Sequence, residues 1–423
     1  MKVVIAIDSF KGSMSSMEAG RAAKAGIERA RGIDRTERTC GAGKMESTCG
    51  ADGIERACGA GKMESTCGAD RTEKAHGADR IVVKPLADGG EGTTEALVEG
   101  LGGEYVTVRV TGPLGEQTEA RYGILGDKRT AVLEMAEASG IILIKREELD
   151  PSRATTYGVG EMILDAAGRG CREFIIGIGG SATSDGGAGM LQALGYEIAD
   201  GDGNPIRPGI RDLDRIASIT AKHVSDALKA CHFRIACDVK NPLCGENGAV
   251  YVFGPQKGVK EEEKQSFDEK MKHFADKTQE FTGADHRMAE GAGAAGGLGF
   301  AFLSYLPNAE LQSGIDIVLD AIQLEQEVKD ADIVITGEGR LDFQTAMGKV
   351  PVGVARLAKK YNAKVLAFAG GVTKDAGECN AAGIDAFFPI VRGVTTLDEA
   401  MVPENARENM ALSVEQVFRA LSM

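Results

Sequence analysis

Short apolar runs that end in glycine-rich, charged turns recur along this chain, and they constrain its fold more than any other feature. Two runs, 2–7 and 81–86, lie near the beginning, and a helical pattern follows the first. Three more, 333–336, 364–369 and 386–389, alternate with helical patterns near the end. Strands that alternate with helices form parallel sheets with both faces covered. The pattern therefore predicts an α/β protein.

The middle of the chain follows a different pattern. Three successive strand-like segments, separated by turns that contain Gly or Pro, predict a meander at 104–111, 118–125 and 130–136. Helical and strand patterns then alternate, with predicted helices at 156–168 and 189–194 and predicted strands at 173–178, 234–237 and 249–253. We therefore predict one domain inserted into another, with 1–103 and 289–423 forming the first domain and 104–288 the inserted α/β domain.

Residues 35–79 interrupt this pattern with a tandem repeat. The segment CGAGKMESTCGAD occurs at 40–52 and again at 58–70, and a Cys or His begins a unit every nine residues. A period of nine does not gather equivalent residues on one face of a helix or a strand. Large apolar side chains are almost absent, so the segment cannot bury enough surface to fold alone. We predict a repetitive insert whose removal would join RARGID to RIVVKPLADGGEG.

Two functional interpretations of the repeat have less support than this structural one. A zinc site built from four Cys and one His would need C-x(2–4)-C pairs, and the segment has none. GAGK suggests a phosphate-binding P-loop, but Arg38 and Arg56 replace its earlier Gly, and Met follows each Lys. A slipped tandem duplication, tolerated in a surface loop, fits the segment best.

Composition and charge limit the classes of partner. The 423 residues carry a formal net charge of -14, which argues against nucleic-acid or anionic-membrane binding through a basic surface. No apolar stretch is long enough to span a bilayer, and the apolar run at the start is too short for a signal peptide. Because the nine cysteines have no secretory context, we expect reduced thiols and a cytoplasmic protein.

Five glycine-rich stretches with isolated charges are candidates for a ligand cleft. They lie at 8–13, 88–93, 179–187, 291–299 and 336–342. In an open α/β sheet, ligands bind beyond the carboxyl ends of the strands, where such turns occur. Glycines also let backbone N–H groups approach phosphate oxygens closely. Five such turns in one chain predict a substrate cleft, although a single one would be explained by a tight turn.

The charged side chains in and near these turns suit phosphoryl transfer, which depends on positioning and on neutralising negative charge. The basic residues that could neutralise phosphate or carboxylate oxygens are Lys11, Arg340 and Lys349. The acidic residues that could hold Mg2+ or accept a hydroxyl proton are Asp8, Asp88, Asp185, Asp238, Glu338 and Asp342. Each also has an ordinary structural alternative, such as capping a helix.

Two other enzyme classes find little support in the sequence. Residues 291–296 match the dinucleotide fingerprint GxGxxG, but they follow DHRMAE rather than a strand, so we reject a Rossmann site there. None of the five histidines lies in the glycine-rich turns, so we do not expect a Ser-His-Asp hydrolase.

Taken in order, these stretches resemble the bacterial glycerate kinase family, of the type that lacks a P-loop. The motifs that carry the resemblance include DSFKGS at 8–13, KPLADGGEGT at 84–93, IGIGGSATSDGGAGMLQALG at 176–195, ACDVKNPLCGENGA at 236–249 and ITGEGRLDFQT at 335–345. The resemblance covers 1–34 and 80–423. Ser184 and Phe343 stand where the family usually has Asn and Gly, and the family pattern lacks the insert at 35–79.

The resemblance implies a fold and an activity. The fold is a flavodoxin-like parallel-sheet domain formed by both chain ends, with a second mixed α/β domain inserted and the active site between the two. The activity is ATP- and Mg2+-dependent phosphorylation of D-glycerate, with 2-phosphoglycerate preferred over 3-phosphoglycerate as the product. We expect the insert to leave this activity intact, because it lengthens a connection at the sheet edge opposite the ligand-binding edge.

Site residues follow from the turns and the resemblance together. Catalytic roles are expected for Asp8, Lys11, Asp185 and Arg340, with Asp8 or Asp185 as the base. Mg2+ is expected at Asp238 and Asp342. The residues expected to bind substrate or phosphate are Ser9, Ser13, Asp88, Gly89, Gly90, Ser181, Asn241, Gly293, Gly296, Gly297, Glu338 and Lys349.

Two alternatives stay open at this point. One is a nicotinamide-dependent reductase of a small hydroxy acid, although a strand-led GxGxxG is missing. The other is a non-enzymatic regulator that binds a metabolite, although no DNA-binding segment is recognisable. We expect small-molecule substrates, no nucleic-acid or membrane partner, and a monomer or homodimer.

Overall fold

Residues 1–32 and 80–423 are described by a computed structural model of the chain, and they form two large sheets and one small one. The insert predicted at 35–79 lies outside the described residues. The strands, in chain order, are β1 Lys2–Ile7, β2 Arg80–Pro85, β3 Glu104–Thr111, β4 Gln117–Ile124, β5 Thr130–Glu134, β6 Glu173–Gly177, β7 Glu197–Asp200, β8 Ile216–Thr220, β9 His232–Ala236, β10 Ala309–Gln312, β11 Ile333–Leu341, β12 Lys364–Val372 and β13 Ala386–Pro389.

Helices separate most of these strands. They are α1 Ser16–Ala30, α2 Thr93–Leu101, α3 Ala136–Ser139, α4 Tyr157–Gly168, α5 Ala188–Ala193, α6 Asp226–Lys229, α7 Ala249–Phe253, α8 Lys264–Thr282, α9 Leu298–Tyr305, α10 Gly314–Ala321, α11 Leu324–Val328, α12 Phe343–Ala346, α13 Val350–Lys359, α14 Glu378–Ala381, α15 Leu397–Met401 and α16 Pro403–Leu421. Short 3-10 turns occur at Ile141–Leu143, Arg146–Glu148, Ile210–Arg215, Pro255–Lys257, Glu261–Glu263, Ala294–Gly297 and Lys374–Gly377.

The first sheet is built from both ends of the chain. Its order is β13-β12-β11-β1-β2, and every neighbouring pair is parallel. Counted within this sheet alone, the order is 2-1-3-4-5, which is the flavodoxin-like order. The predicted parallel-sheet fold is therefore confirmed. The chain changes direction across the sheet between β1 and β11, and such a point is where α/β proteins bind ligands.

Buried side chains on both faces explain why β1 lies inside the sheet. Val3 and Ile5 pack into one apolar cluster with residues of α1 and α16, whereas Val4 packs into a cluster with α10 and α13 on the other face. Successive strand residues point to opposite faces, so a continuous apolar run suits a strand covered on both sides. Ser15 begins α1 with a capping box to Glu18.

The second sheet comes entirely from the segment between β2 and β11. Its order is β10-β9-β6-β5-β4-β3, with β3, β4 and β5 antiparallel and the remaining neighbours parallel. The predicted meander is thus confirmed. The domain bounds themselves stay a prediction. β10 lies beyond residue 289 and pairs with β9.

Two local predictions are wrong. Residues 249–253 form α7 rather than a strand: Ala249 and Val250 are both buried, and Val250 shares an apolar cluster with residues of α8. This packing overrides the β propensity of the run AVYVF. The predicted turn at 336–342 is mostly strand, because β11 continues to Leu341 beside β12. Gly337 permits this pairing, since a Cβ there would lie 2.1 Å from the carbonyl oxygen of Phe368.

The carboxyl ends of the strands in the two sheets border a common cleft. Glu134, the last residue of β5, accepts hydrogen bonds from the backbone N–H groups of Gly92 and Thr94 at the beginning of α2. The second sheet is thereby joined to the loop that follows β2 in the first sheet. In the described residues, no helix is both long and apolar enough to cross a membrane.

Candidate active site

The first cavity of the cleft, called cavity A, has a volume of about 560 Å³ and lies at the carboxyl edge of the first sheet. The loop after β1, the end of β11 and residues before and within α15 form its walls. An apolar wall contains Phe10, Ile390, Leu397 and Met401. Among the predicted site residues it holds Asp8, Ser9, Lys11, Ser13, Asp88, Glu338, Arg340, Asp342 and Lys349.

Asp8 follows β1 directly and is only 8% exposed. Its backbone N–H donates to the carbonyl of Gly337 over 2.9 Å, and its Oδ1 accepts from the N–H of Ser9 over 2.7 Å. Burial, together with the charges of Asp88 and Glu338, raises the pKa of Asp8 to about 7. A carboxylate with a pKa near the working pH is suited to general-base catalysis.

Cations lie on the open side of cavity A. Lys11 and Lys349 are exposed, and the side chain of Arg340 is 70% exposed, with its Nε 3.7 Å from Oδ2 of Asp342. Flexible, solvated cations of this kind can close around a polyphosphate and neutralise its charge.

Ser13 contributes an unpaired hydroxyl to cavity A. Its Oγ is buried and has no hydrogen-bond partner among the described residues. The neighbouring Ser16 shows the contrasting, structural use of a hydroxyl: its Oγ donates to the carbonyl of Ile7 and accepts from the N–H of Leu86, both over 2.7 Å. Ser16 thus fixes the two loops that hold Asp8 and Asp88, and Ser13 is left available to a ligand.

The second cavity, called cavity B, has a volume of about 420 Å³ and lies at the carboxyl edge of the second sheet. Its walls come from the loops after β2, β6 and β9 and from Lys257. The predicted residues that it brings together are Asp88, Gly89, Gly90, Ser181 and Asp238. Asp88 lines both cavities, so it marks the junction between them.

The loop after β2 is held tightly at this junction. Oδ1 of Asp88 accepts from the N–H of Gly90 over 2.8 Å. Gly89 has a φ of +86°, and a Cβ there would lie 2.5 Å from Cα of Gly314. This close approach of two backbones explains the glycine, because any other residue would separate the loop from α10.

Asp185 does not lie beside either cavity, although its predicted catalytic role would require contact with the substrate. Its side chain is fully buried, and it lines neither cavity. Its carboxylate accepts hydrogen bonds from Thr156 N, Thr156 Oγ1, Gly187 N and Gly189 N. These donors begin α4 and α5, so the geometry gives Asp185 a structural role and leaves Asp8 as the candidate base.

The other predicted glycines pack turns against each other rather than lining a cavity. A Cβ at Gly296 would lie 2.0 Å from the carbonyl oxygen of Thr183, and one at Gly297 would lie 2.7 Å from Cα of Gly186. Gly293 donates to the carbonyl of Asn241, whose side chain donates in turn to the carbonyl of Asn247. These four predicted residues therefore lie outside cavities A and B. As expected, the GxGxxG stretch does not follow a strand; the element before it is α8.

The two predicted Mg2+ ligands are not brought together. Asp238 lines cavity B and accepts from the N–H of Gly314, whereas Asp342 lines cavity A and caps α12. Within residues 1–32 and 80–423, no group of three or more His, Cys, Asp or Glu could hold a metal ion. Mg2+ commonly binds through one or two carboxylates, substrate phosphates and water. Glu338 and Asp342 share cavity A and fit that smaller donor set.

Lys257 is a candidate that sequence reasoning missed. It is 1% exposed, and its Nζ donates to Ser181 Oγ over 2.8 Å and to the carbonyl of Thr183 over 2.6 Å. Burial lowers its pKa to about 7. In the sequence, Lys257 is marked only by its position in the segment FGPQKG. Nothing in this segment indicates that the lysine is buried or that it contacts Ser181.

Comparisons with known proteins agree with one another. The model of the glycerate kinase family matches residues 51–422. Glycerate kinase of Bacillus subtilis (strain 168) is 47% identical over 339 residues, which cover 80% of this chain and 88% of that protein. Glycerate 2-kinase of Escherichia coli (strain K12) is 46% identical over 339 residues, with the same coverage of 80% and 88%.

A solved structure is similar over the whole chain. It is a crystal structure of a protein described as glycerate kinase 2 from Salmonella typhimurium LT2. The TM-score is 0.83 at 40% sequence identity, and the match covers 100% of this chain and 98% of the other.

Proposed function

We propose that this chain, which belongs to the glycerate kinase family, transfers the γ-phosphoryl group of ATP to the 2-hydroxyl of D-glycerate where cavities A and B meet. The observation that carries the proposal is the position of Asp88 on the walls of both cavities, next to the buried Asp8. The name of the E. coli relative supports the 2-position. Because the chain belongs to this family, the nicotinamide-dependent reductase and the metabolite-binding regulator are no longer retained as alternative functions.

Cavity A suits ATP. Its apolar wall of Phe10, Ile390, Leu397 and Met401 offers a surface for a planar base, and it is larger than cavity B. Lys11 and Arg340 would neutralise the phosphates, and the free hydroxyl of Ser13 would donate to a phosphate oxygen. Glu338 and Asp342 would hold Mg2+, which supplies further neutralisation of phosphate charge when it is bound.

Cavity B suits the smaller hydroxy acid, with its hydroxyl directed toward the junction. In the reaction, the 2-oxygen of glycerate forms a bond to the γ-phosphorus while the bond from that phosphorus to the bridging oxygen of ADP breaks. Asp8 accepts the hydroxyl proton. The burial that raises the pKa of Asp8 also makes its carboxylate a stronger base than an exposed aspartate.

Product analysis tests this function. ADP release should depend on D-glycerate, and the phosphorus NMR signal of the product should be a doublet, because carbon 2 bears one proton. A triplet would place the phosphate on the 3-oxygen and overturn the 2-position alone. If folded protein releases no ADP with D-glycerate, the kinase proposal itself fails.

Deletion of residues 35–79 is predicted to leave kcat/KM for D-glycerate unchanged. The described residues on either side of the insert, at the end of α1 and the beginning of β2, lie at the amino edge of the first sheet, opposite cavity A. A loop recovers about 0.6 kcal/mol for each halving of its length, and the deletion amounts to roughly four halvings of this connection, so it is expected to stabilise the protein by about 2 kcal/mol. Steady-state kinetics and thermal unfolding of the deletion variant check both statements. Loss of turnover in a folded deletion variant would give the repeat a functional role.

The cytoplasmic location and the monomeric or homodimeric state stay predictions. The five cysteines in the described residues are all free thiols, which is consistent with a reducing compartment.

A further inference from the structure

Cavity B contains a cationic group and unpaired donors that the phosphoryl-transfer step does not use. We propose that Lys257, Ser181 and the backbone N–H groups of residues 179–181 form a receptor for the carboxylate of the substrate, and that Lys257 takes up a proton when this anion binds. The inference rests on the proposed function, since it concerns the orientation of D-glycerate in the same site.

The hydrogen bonds of Lys257 leave room for a ligand. Its amino group donates to Ser181 Oγ and to the carbonyl of Thr183, and both acceptors are uncharged. An ammonium group has three donors, so one has no acceptor among the described residues. A buried lysine without an anionic partner in contact is unusual, because burying an unpaired charge is costly. The arrangement is explained if an anion from outside completes it.

Neighbouring donors point to the same kind of ligand. The backbone N–H groups of Gly179, Gly180 and Ser181 make no hydrogen bond to another described residue, and all three residues line cavity B. The hydroxyl of Ser181 accepts from Lys257, so its own proton is free to donate. Successive unpaired N–H groups form an anion-binding concavity in many proteins. A carboxylate has two oxygens that can accept from such a set.

Two carboxylates in the lining of cavity B give the substrate a direction. Asp88 and Asp238 both line cavity B, and their carboxylates would repel a substrate carboxylate placed beside them. They can instead accept hydrogen bonds from the hydroxyl groups. With its carboxylate at Lys257 and its hydroxyls toward Asp88, D-glycerate faces cavity A through its reactive end. A cavity with a cationic group at one place and carboxylates at another would bind hydroxy acids in preference to uncharged polyols.

Proton uptake follows from the environment of Lys257. Burial lowers its pKa to about 7, and the charge of Asp185 acts in the opposite direction. Asp88 and Asp238 are the other charged groups on the walls of cavity B, and Cys237 is a further titratable group there. At pH 8 the amine is therefore mostly neutral before the substrate binds. A carboxylate next to it stabilises the ammonium form, so binding draws a proton from the buffer.

Calorimetry of D-glycerate binding without ATP tests the proposal. At pH 8, titrations in two buffers of different ionisation enthalpy should reveal an uptake of about one proton per wild-type chain, and the uptake should vanish near pH 6. Lys257→Met should raise the Kd for D-glycerate by about 10- to 100-fold and abolish the uptake. Lys222→Met is the matched control, because Lys222 is exposed and lines neither cavity.

Kinetics separates a carboxylate receptor from a phosphate site. Lys257→Met should raise KM for D-glycerate and leave KM for ATP unchanged. An increase in KM for ATP alone, or unchanged Kd and proton uptake, would overturn the proposal.

If Lys257→Met does not fold, Ser181→Ala keeps the lysine and should raise Kd less while it preserves the uptake; unchanged Kd in that variant would also contradict the receptor. Failure of the wild type to release ADP while it binds glycerate would instead contradict the proposed function.

Discussion

Asp8→Asn is expected to lower kcat by about 10²- to 10⁴-fold, because it removes the group that accepts the hydroxyl proton. The protein should nevertheless fold. The asparagine side chain would retain an oxygen for the N–H of Ser9, and the backbone bond from residue 8 to Gly337 does not involve the side chain. The loss should therefore appear in turnover rather than in the amount of folded protein.

The same substitution should change stability with a defined dependence on pH. The pKa of Asp8 is raised from 3.8 to about 7 in the folded chain, mainly by burial and then by Asp88. A carboxyl group with a raised folded-state pKa contributes stability below its unfolded pKa and loses that contribution as pH rises through the folded pKa. Above pH 7, Asp8→Asn should therefore be more stable than the wild type, by up to about 4 kcal/mol. Near pH 4 the two should be equal.

Denaturant unfolding and kinetics between pH 4 and pH 9 check both effects. The acidic limb of the wild-type kcat/KM profile should have an apparent pKa near 7, and Asp8→Asn should lose that limb. Loss of the Lys257 proton should lower kcat/KM on the alkaline side in both proteins. Asp226→Asn serves as the control, because Asp226 lies on α6 and lines neither cavity. Full activity of Asp8→Asn, with the acidic limb of the profile retained, would exclude Asp8 as the base.

Asp185→Ala is expected to destabilise the protein by at least about 3 kcal/mol. The substitution removes the acceptor of four hydrogen bonds from a fully buried position. Buried donors without an acceptor carry the whole cost of their lost hydration. The expected result is loss of folded protein or a large decrease in the free energy of unfolding.

Asp185→Asn is the graded control for this prediction. An asparagine can present its oxygen to the three donors that Oδ2 serves, and its NH2 group would then face only the N–H of Gly187. Asn should therefore cost less stability than Ala, and activity should follow the folded fraction. If Asp185→Asn keeps wild-type stability and loses turnover, the structural role is wrong and the catalytic one is restored.

The fold could be predicted because its signals are local. Continuous apolar runs such as β1, followed by capped helices such as α1, predict buried parallel strands directly. The errors arose where packing overrides propensity. Residues 249–253 have strand-forming side chains but form α7 beside α8, and β11 continues through glycines because β12 pairs with it.

Site residues could be predicted from the sequence only where they lie just after the end of a strand. Asp8 and Asp88 follow β1 and β2, and they border cavity A as the sequence suggests. Asp185 has the same kind of sequence context but is enclosed by donors from α4 and α5. Burial of this kind depends on contacts between distant segments. The meeting of Lys257 with Ser181, 76 residues away, has the same origin.

A crystal structure of the chain with D-glycerate and a non-hydrolysable ATP analogue would show which ligand each cavity binds. The triphosphate should lie in cavity A between Lys11 and Arg340, and the glycerate carboxylate should lie in cavity B on Lys257. The 2-oxygen should lie at the junction beside Asp8 and Asp88, in line with the γ-phosphorus. Binding of both ligands within one cavity, or glycerate with its carboxylate turned toward Asp88, would contradict this arrangement.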